Sequence, residues 1–135
     1  MLLSKECDYA IRIMRALAGG ELVSVQQICR QEGMTVSMAY KLARKLEKTG
    51  YIRSYRGSNG GYSLNVSLKE VTLYDICKAI DKDLLVCKCI SCGYACEKNT
   101  EASPCLVHRE LCRIQRILNR ELRSKSLSEI LSQSP

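Results

Sequence analysis

Apolar positions recur along the first half of the chain with a helical period that glycines interrupt. Ala10, Ile13, Met14 and Leu17 repeat three and four residues apart until Gly19-Gly20, which predicts a first helix. Ser24, with Gln27 three residues on, forms a capping box that opens a short helix carrying Ile28 and Cys29. Gly33 ends that helix, since a residue without Cβ turns left-handed at little cost. Thr35 caps a third helix with Ala39, Leu42, Ala43 and Leu46 on its inner face, and Gly50 closes it.

The period then shortens to two. Tyr62, Leu64 and Val66 alternate as a half-buried strand does. With Tyr51–Arg56 and the intervening Gly57-Ser58-Asn59-Gly60-Gly61 they predict a β-hairpin. Helical spacing returns with Thr72 and Asp75 as caps and Leu73, Ile76 and Ile80 on one face. Residues 81–104 lack a period and predict a long loop, a feature most often tied to function. Ser103 at the cap and Pro104 at the first position predict the opening of a helix that runs to about Arg123. Its stripe is Val107, Leu111, Ile114, Leu118 and Leu122. Ser126 and Glu129 cap a last short helix bearing Leu127, Ile130 and Leu131.

The expected fold is mainly α with a small β-hairpin wing. A winged helix-turn-helix DNA-binding domain occupies residues 1–80 and a cysteine-rich cluster-binding loop residues 81–104. Residues 105–135 form a dimerisation helix and a short C-terminal helix. Ser37, Tyr40, Lys41, Arg44, Lys45 and Lys48 lie off the apolar stripe of the second helix of the motif, free to meet phosphates and base edges. In the wing, Arg56 is placed to enter a minor groove, while the Gly57, Asn59, Gly60, Gly61 and Tyr62 backbone approaches phosphates. The long helix spans roughly 28 Å at 1.5 Å per residue, more than so small a domain covers. Its apolar face therefore calls for a second copy, and a homodimer matches a palindromic operator on double-stranded DNA.

Charge supports that partner. The chain carries a net charge of +7, and residues 1–80 hold 12 Lys/Arg against 7 Asp/Glu, a net of +5. Residues 37–62 alone hold six basic residues and one acidic, also +5, so the excess is one patch. Met1-Leu2-Leu3 runs into Ser4-Lys5-Glu6 with no apolar stretch of signal-peptide length, and no segment is long enough to span a membrane. A cytoplasmic location is expected, where thiols stay reduced.

That setting gives the cysteines their meaning. Six of the nine, Cys87, Cys89, Cys92, Cys96, Cys105 and Cys112, fall within residues 87–112. Thiolates at this density suit zinc or iron. The start of a helix at Cys105 favours an anionic sulfur, Lys88 and Lys98 offset cluster charge, and His108 and Cys112 follow at one-turn intervals. Three chemistries fit: an iron–sulfur cluster, a zinc site closed by Cys89, Cys92, Cys96 and Cys105, and a metal-free thiol switch. Cys7, Cys29 and Cys77 sit near apolar positions as small buried hydrophobes, although Cys7 neighbours Asp8 and could approach a partner's cluster. A thiol enzyme or metal carrier is the alternative class. It finds no C-x-x-C beside a βαβ unit and no acid–base pair, so no enzymatic activity is expected.

The chain resembles the IscR/NsrR/CymR-type winged-helix transcription regulators, the Rrf-two family, over residues 1–132. The most specific stretch is Arg56-Gly57-Ser58-Asn59-Gly60-Gly61-Tyr62-Ser63-Leu64, similar to the family's R-G-x-x-G-G-Y-x-L wing. Leu3-Ser4-Lys5 through Asp8-Tyr9-Ala10 is similar to the family's opening. Cys105-Leu106-Val107-His108 and Ser126–Leu131 are similar to its C-terminal third. The resemblance implies a homodimeric repressor whose DNA affinity is set by a [2Fe–2S] or [4Fe–4S] cluster near the start of the long helix. It implies three cysteine ligands: Cys96, Cys105 and a first ligand among Cys87, Cys89 and Cys92. The fourth ligand falls on His108, or on Asp8 of the partner subunit. Five candidate cysteines of the cluster precede His108, two more than the family's three, so the metal and its ligands stay open between cluster and zinc.

Overall fold

Hydroxyl side chains open the first three helices. Ser4 accepts from the Cys7 amide at the start of α1 (Lys5–Ala16), and Thr35 from Met38 at the start of α3 (Val36–Lys48). Ser24 and Gln27 form the full reciprocal box ahead of α2 (Val25–Glu32), which Gly33 ends at φ 65°. These elements belong to a computed structural model that describes residues 2–132; positions 133–135 of the predicted C-terminal segment lie outside the described residues.

β1 (Ile52–Tyr55) and β2 (Gly61–Leu64) pair antiparallel in the register Ile52↔Leu64 to Tyr55↔Gly61. α4 (Leu73–Ile80) follows behind a Thr72–Asp75 capping box, then a 3₁₀ turn at Lys88–Ile90 within the loop. α5 (Leu106–Arg123) and α6 (Leu127–Leu131) complete the order. α1 packs against α2, α3 and α4, which places Ile13, Met14 and Leu17 against Ile28, Leu42, Leu46 and Ile76 in one aliphatic core. Each such side chain contributes roughly 1.5–3 kcal/mol on burial.

Three long-range ties fix the periphery. The wing is bolted to the residue before α2 by Val23 N–H to Tyr62 O and Tyr62 N–H to Val23 O, both 2.9 Å. A Cβ on Gly61 would stand 2.2 Å from the Val23 carbonyl oxygen, and one on Gly60 2.3 Å from the Tyr55 carbonyl oxygen, so this corner admits only glycine. At the other end, α6 docks on the segment before α4, with Leu127 N–H to Val71 O at 2.7 Å and Ser128 N–H to Leu68 O at 3.0 Å. The Arg123 guanidinium lies 3.7 Å over the Tyr74 ring and joins α5 to α4.

One expectation is corrected, and of the two readings of Cys7 the buried hydrophobe is the one that holds. The long helix starts at Leu106 with Cys105 as its cap, not at Ser103-Pro104. Asn99 Oδ1 accepts from the Cys105 amide at 2.9 Å, and Thr100 and Ser103 bond each other in a turn, so Ser103 is held outside the helix. Cys7, expected as a possible approach to a partner's cluster, is fully buried with its Sγ 3.8 Å from the Cys77 carbonyl oxygen. Burial pushes the Cys77 thiol up to about 12, with Cys7 adding to the effect, and both behave as core side chains.

Candidate nucleic-acid interface and cysteine site

α3 and the wing enclose a cleft of about 510 Å³. Tyr40 and Arg44 reach it from the helix, and Arg56, Gly57, Gly60 and Gly61 from the wing turn. Tyr62 also lines it but is itself buried, so its ring supports the hairpin from below. Burial and the nearby Glu47 charge keep its phenol protonated by raising its pKa. Ser37 and Asn59 are exposed outside the lining.

The lysines of α3 are less free than the apolar stripe implied. Lys41 pairs with Glu6 of α1, and Lys45 reaches the same carboxylate at 3.2 Å and the Ile80 carbonyl oxygen at 3.2 Å. Glu6 is held below the ordinary carboxylate value, first by the Lys41 hydrogen bond and then by that from Lys45. The clasp neutralises part of the helix's charge and leaves Arg44, Lys48 and Arg56 without a carboxylate partner among the described residues.

Sequence reasoning missed two parts of this cleft. Glu47 Oε1 accepts from the Ser54 amide at 3.1 Å and from its hydroxyl, which ties β1 to α3. Ser24 and Gln26 bring the start of α2 to the cleft wall. The capping box at Ser24 was readable; its place beside the wing depends on the Val23–Tyr62 pairing, which no local pattern encodes.

The cysteine site is assembled differently. Leu84, Leu85 and Val86 lead from α4 to Cys87, and the start of that passage is clamped by α5. Gln115, buried on α5, accepts from the Val86 amide at 2.8 Å and donates to the Leu84 carbonyl oxygen at 3.0 Å and to Asn119 at 2.8 Å. Nothing in the apolar stripe announced this glutamine.

Beyond the clamp, Cys87 caps the 3₁₀ turn and its thiol is held low, first by the Cys89 backbone amide and then by the Cys89 thiol. Cys89 moves the other way: partial burial raises it first, then Cys87, and then the charges of Cys96 and Cys105. Cys105 Sγ accepts from the His108 amide at 3.5 Å, and Cys112 Sγ lies 3.5 Å from His108 Nε2. His108 Nδ1 is buried and has no hydrogen-bond partner among the described residues.

Cys92 is exposed, and Asp8 sits on the surface of α1 paired with Arg12 at 3.0 Å. Among the described residues no group of three His, Cys, Asp or Glu side chains already converges on one metal position. The donor types still suit a thiolate-bound metal centre: Cys105 and Cys112 sulfurs on either side of His108, and one buried imidazole nitrogen without a partner among the described residues.

A helix-turn-helix whose second helix shares a cleft with a two-stranded wing defines a winged-helix transcription regulator. Residues 3–133 match the family model Rrf2, described as "Iron-dependent Transcriptional regulator", and the chain belongs to that family. It is 25% identical to the HTH-type transcriptional regulator NsrR of Bacillus licheniformis over 125 residues, 90% of this chain and 81% of that protein. It is 32% identical to protein aau3 of Rhizobium meliloti over 95 residues, 69% of this chain and 62% of that longer protein. The structure of CymR, the global cysteine regulator of B. subtilis, superposes with a TM-score of 0.77 at 24% identity, covering 98% of each chain, and shares the fold. No described helix is long and apolar enough to cross a membrane.

Proposed function

We propose that the chain is a cytoplasmic, homodimeric DNA-binding repressor whose affinity for a palindromic operator is set by an iron–sulfur cluster. Residues 1–80 read DNA, residues 81–104 carry the cluster and residues 105–135 form the dimer. The observation that carries the sensing half is the orphaned His108 Nδ1 beside the thiols at the head of α5. Cys96, Cys105 and one of Cys89, Cys92 or Cys87 would hold the cluster, with His108 as fourth ligand and the partner subunit's Asp8 as the other candidate. The group, when bound, supplies a redox- and ligand-sensitive charge to this loop.

On the reading side, Tyr40 and Arg44 meet the major groove and Arg56 the minor groove or backbone, and their shared cleft supports this. Ser37, Lys41, Asn59 and the wing glycines take secondary contacts; Lys41 must first trade Glu6 for a phosphate. For dimerisation, α5 offers Leu106, Val107, Ile114 and Ile117 exposed. Arg56→Ala should weaken duplex binding by ~1–3 kcal/mol in a fluorescence titration, and unchanged affinity removes Arg56 from the interface.

The cluster is tested by an absorption spectrum with iron, sulfide and zinc analysis on protein purified without oxygen. Visible charge-transfer bands with iron and sulfide support it. A zinc-only result turns the reading to a structural site. Colourless, metal-free protein that binds DNA turns it to a thiol switch, for which Cys87 and Cys89, two residues apart on the 3₁₀ turn, are candidate partners.

A further inference from the structure

Lys45, Lys48, Lys78 and Lys82 line a groove of about 640 Å³ where the C-terminal ends of α3 and α4 meet, together with Thr49 and Ile80. No carboxylate lines it. Of the four groove lysines Glu6 of α1 touches only Lys45, and half-buried Asp81 lies beside the groove between Ile80 and Lys82. Lys48, Lys78 and Lys82 form no ion pair among the described residues; Lys78 donates to the Lys82 carbonyl oxygen. The helix dipole accounts for a lysine near each helix end taken singly. It does not account for Lys82, which lies beyond α4, or for the convergence of four lysines on one concavity. Like charges so placed repel, and an anion relieves them.

The groove adjoins the reading surface. At 3.6 residues per turn, Arg44, Lys48 and Lys45 lie about 40°, 80° and 140° around α3 from Tyr40. Lys48 is thus the step between the base-reading cleft and the lysine groove, and a rod of negative charge lying along α3 passes from one to the other. Ammonium groups on flexible stems suit phosphate as point charges and carry no base code.

We propose that this lysine groove binds the phosphodiester backbone of DNA flanking the segment read by α3, an inference that rests on the DNA-binding reading above. It adds register and salt sensitivity without sequence preference.

The test is a Lys78→Gln/Lys82→Gln double variant, both positions exposed and outside the reading cleft, titrated with a mixed-sequence duplex between 50 and 200 mM salt. Loss of two phosphate contacts lowers the slope of log K against log salt by about two, so the wild type loses roughly tenfold more affinity than the variant across that range. A wild-type slope in the double variant, with Arg56→Ala still weakening binding, overturns the groove and leaves the reading cleft standing. A wild type that fails to bind duplex at all overturns both. Tripolyphosphate serves as the free-phosphate probe in calorimetry. Saturable one-site binding that the double variant loses, beside an unchanged DNA slope, reassigns the groove to a small phosphorylated ligand and overturns the DNA assignment.

Discussion

From Cys7 to Ile80 every helix and the hairpin send apolar side chains into a common core, whereas between Leu84 and Leu122 the one buried residue is the polar Gln115. The reading half carries its own folding energy and is set before DNA arrives. Beyond Leu84 the cysteine segment is ordered mainly by hydrogen bonds, among them the Gln115 clamp, the Asn99–Cys105 contact and the Thr100–Ser103 turn. A segment built that way has a low opening free energy. The contrast puts rigidity in the helix-turn-helix and wing and pliancy in the cysteine segment.

The largest expected effect breaks the rigid side. Ile76→Ala empties a fully buried site on α4 and should cost about 2–5 kcal/mol in chemical denaturation, with loss of cooperativity across the whole reading half. Gln115→Leu probes the junction. It strips the Val86 amide and Leu84 carbonyl of their partner at a cost of about 1–3 kcal/mol. Hydrogen exchange should accelerate at Val86 and through the cysteine loop while amides of α1 and α3 keep their protection; a uniform change would erase the distinction between the two regions.

The smallest effect concerns the clasp on α3. Glu6 is held below its ordinary value of 4.5, so its contribution to stability is full above that pH and is lost as pH falls through the lower folded value. Glu6→Gln should therefore cost less than ~1 kcal/mol at neutral pH and nothing in stronger acid, measured as the difference between two denaturation curves. Because the same change frees Lys41 and Lys45, duplex binding should tighten slightly, and equal weakening of both properties would assign Glu6 to the interface instead.

Helices, caps and hairpin were readable because each rests on local spacing: hydroxyl caps at Ser24, Thr35, Thr72 and Ser126 and glycine stops at Gly33 and Gly50 need no distant partner. The R-G-x-x-G-G block was readable too, since two of its glycines face carbonyl oxygens at distances no Cβ allows. What stayed hidden is nonlocal. Lys41 looked free on its own helix and is bound by a carboxylate 35 positions away. Ser103-Pro104 had the composition of a helix start, yet Asn99 reached forward and moved the start to Leu106. Gln115 lies off the apolar stripe of α5 and is the clamp of the loop, set by amide and carbonyl partners 29 and 31 positions away.

The docking of α6 beneath α4 gives α5 an uneven pair of ends. Its far end is nailed down by Leu122, the Arg123–Tyr74 contact and the Val71–Leu127 bond, while Leu106 and Val107 at the near end stand in solvent. Eighteen helical residues make a lever arm of about 27 Å with its fulcrum at Arg123. On such an arm a tilt of only about 5° sweeps the Cys105 end through roughly 2 Å. A displacement of that size at the cysteine end thus needs only a slight change of helix angle, a gearing ratio set by where the chain ties its last turn.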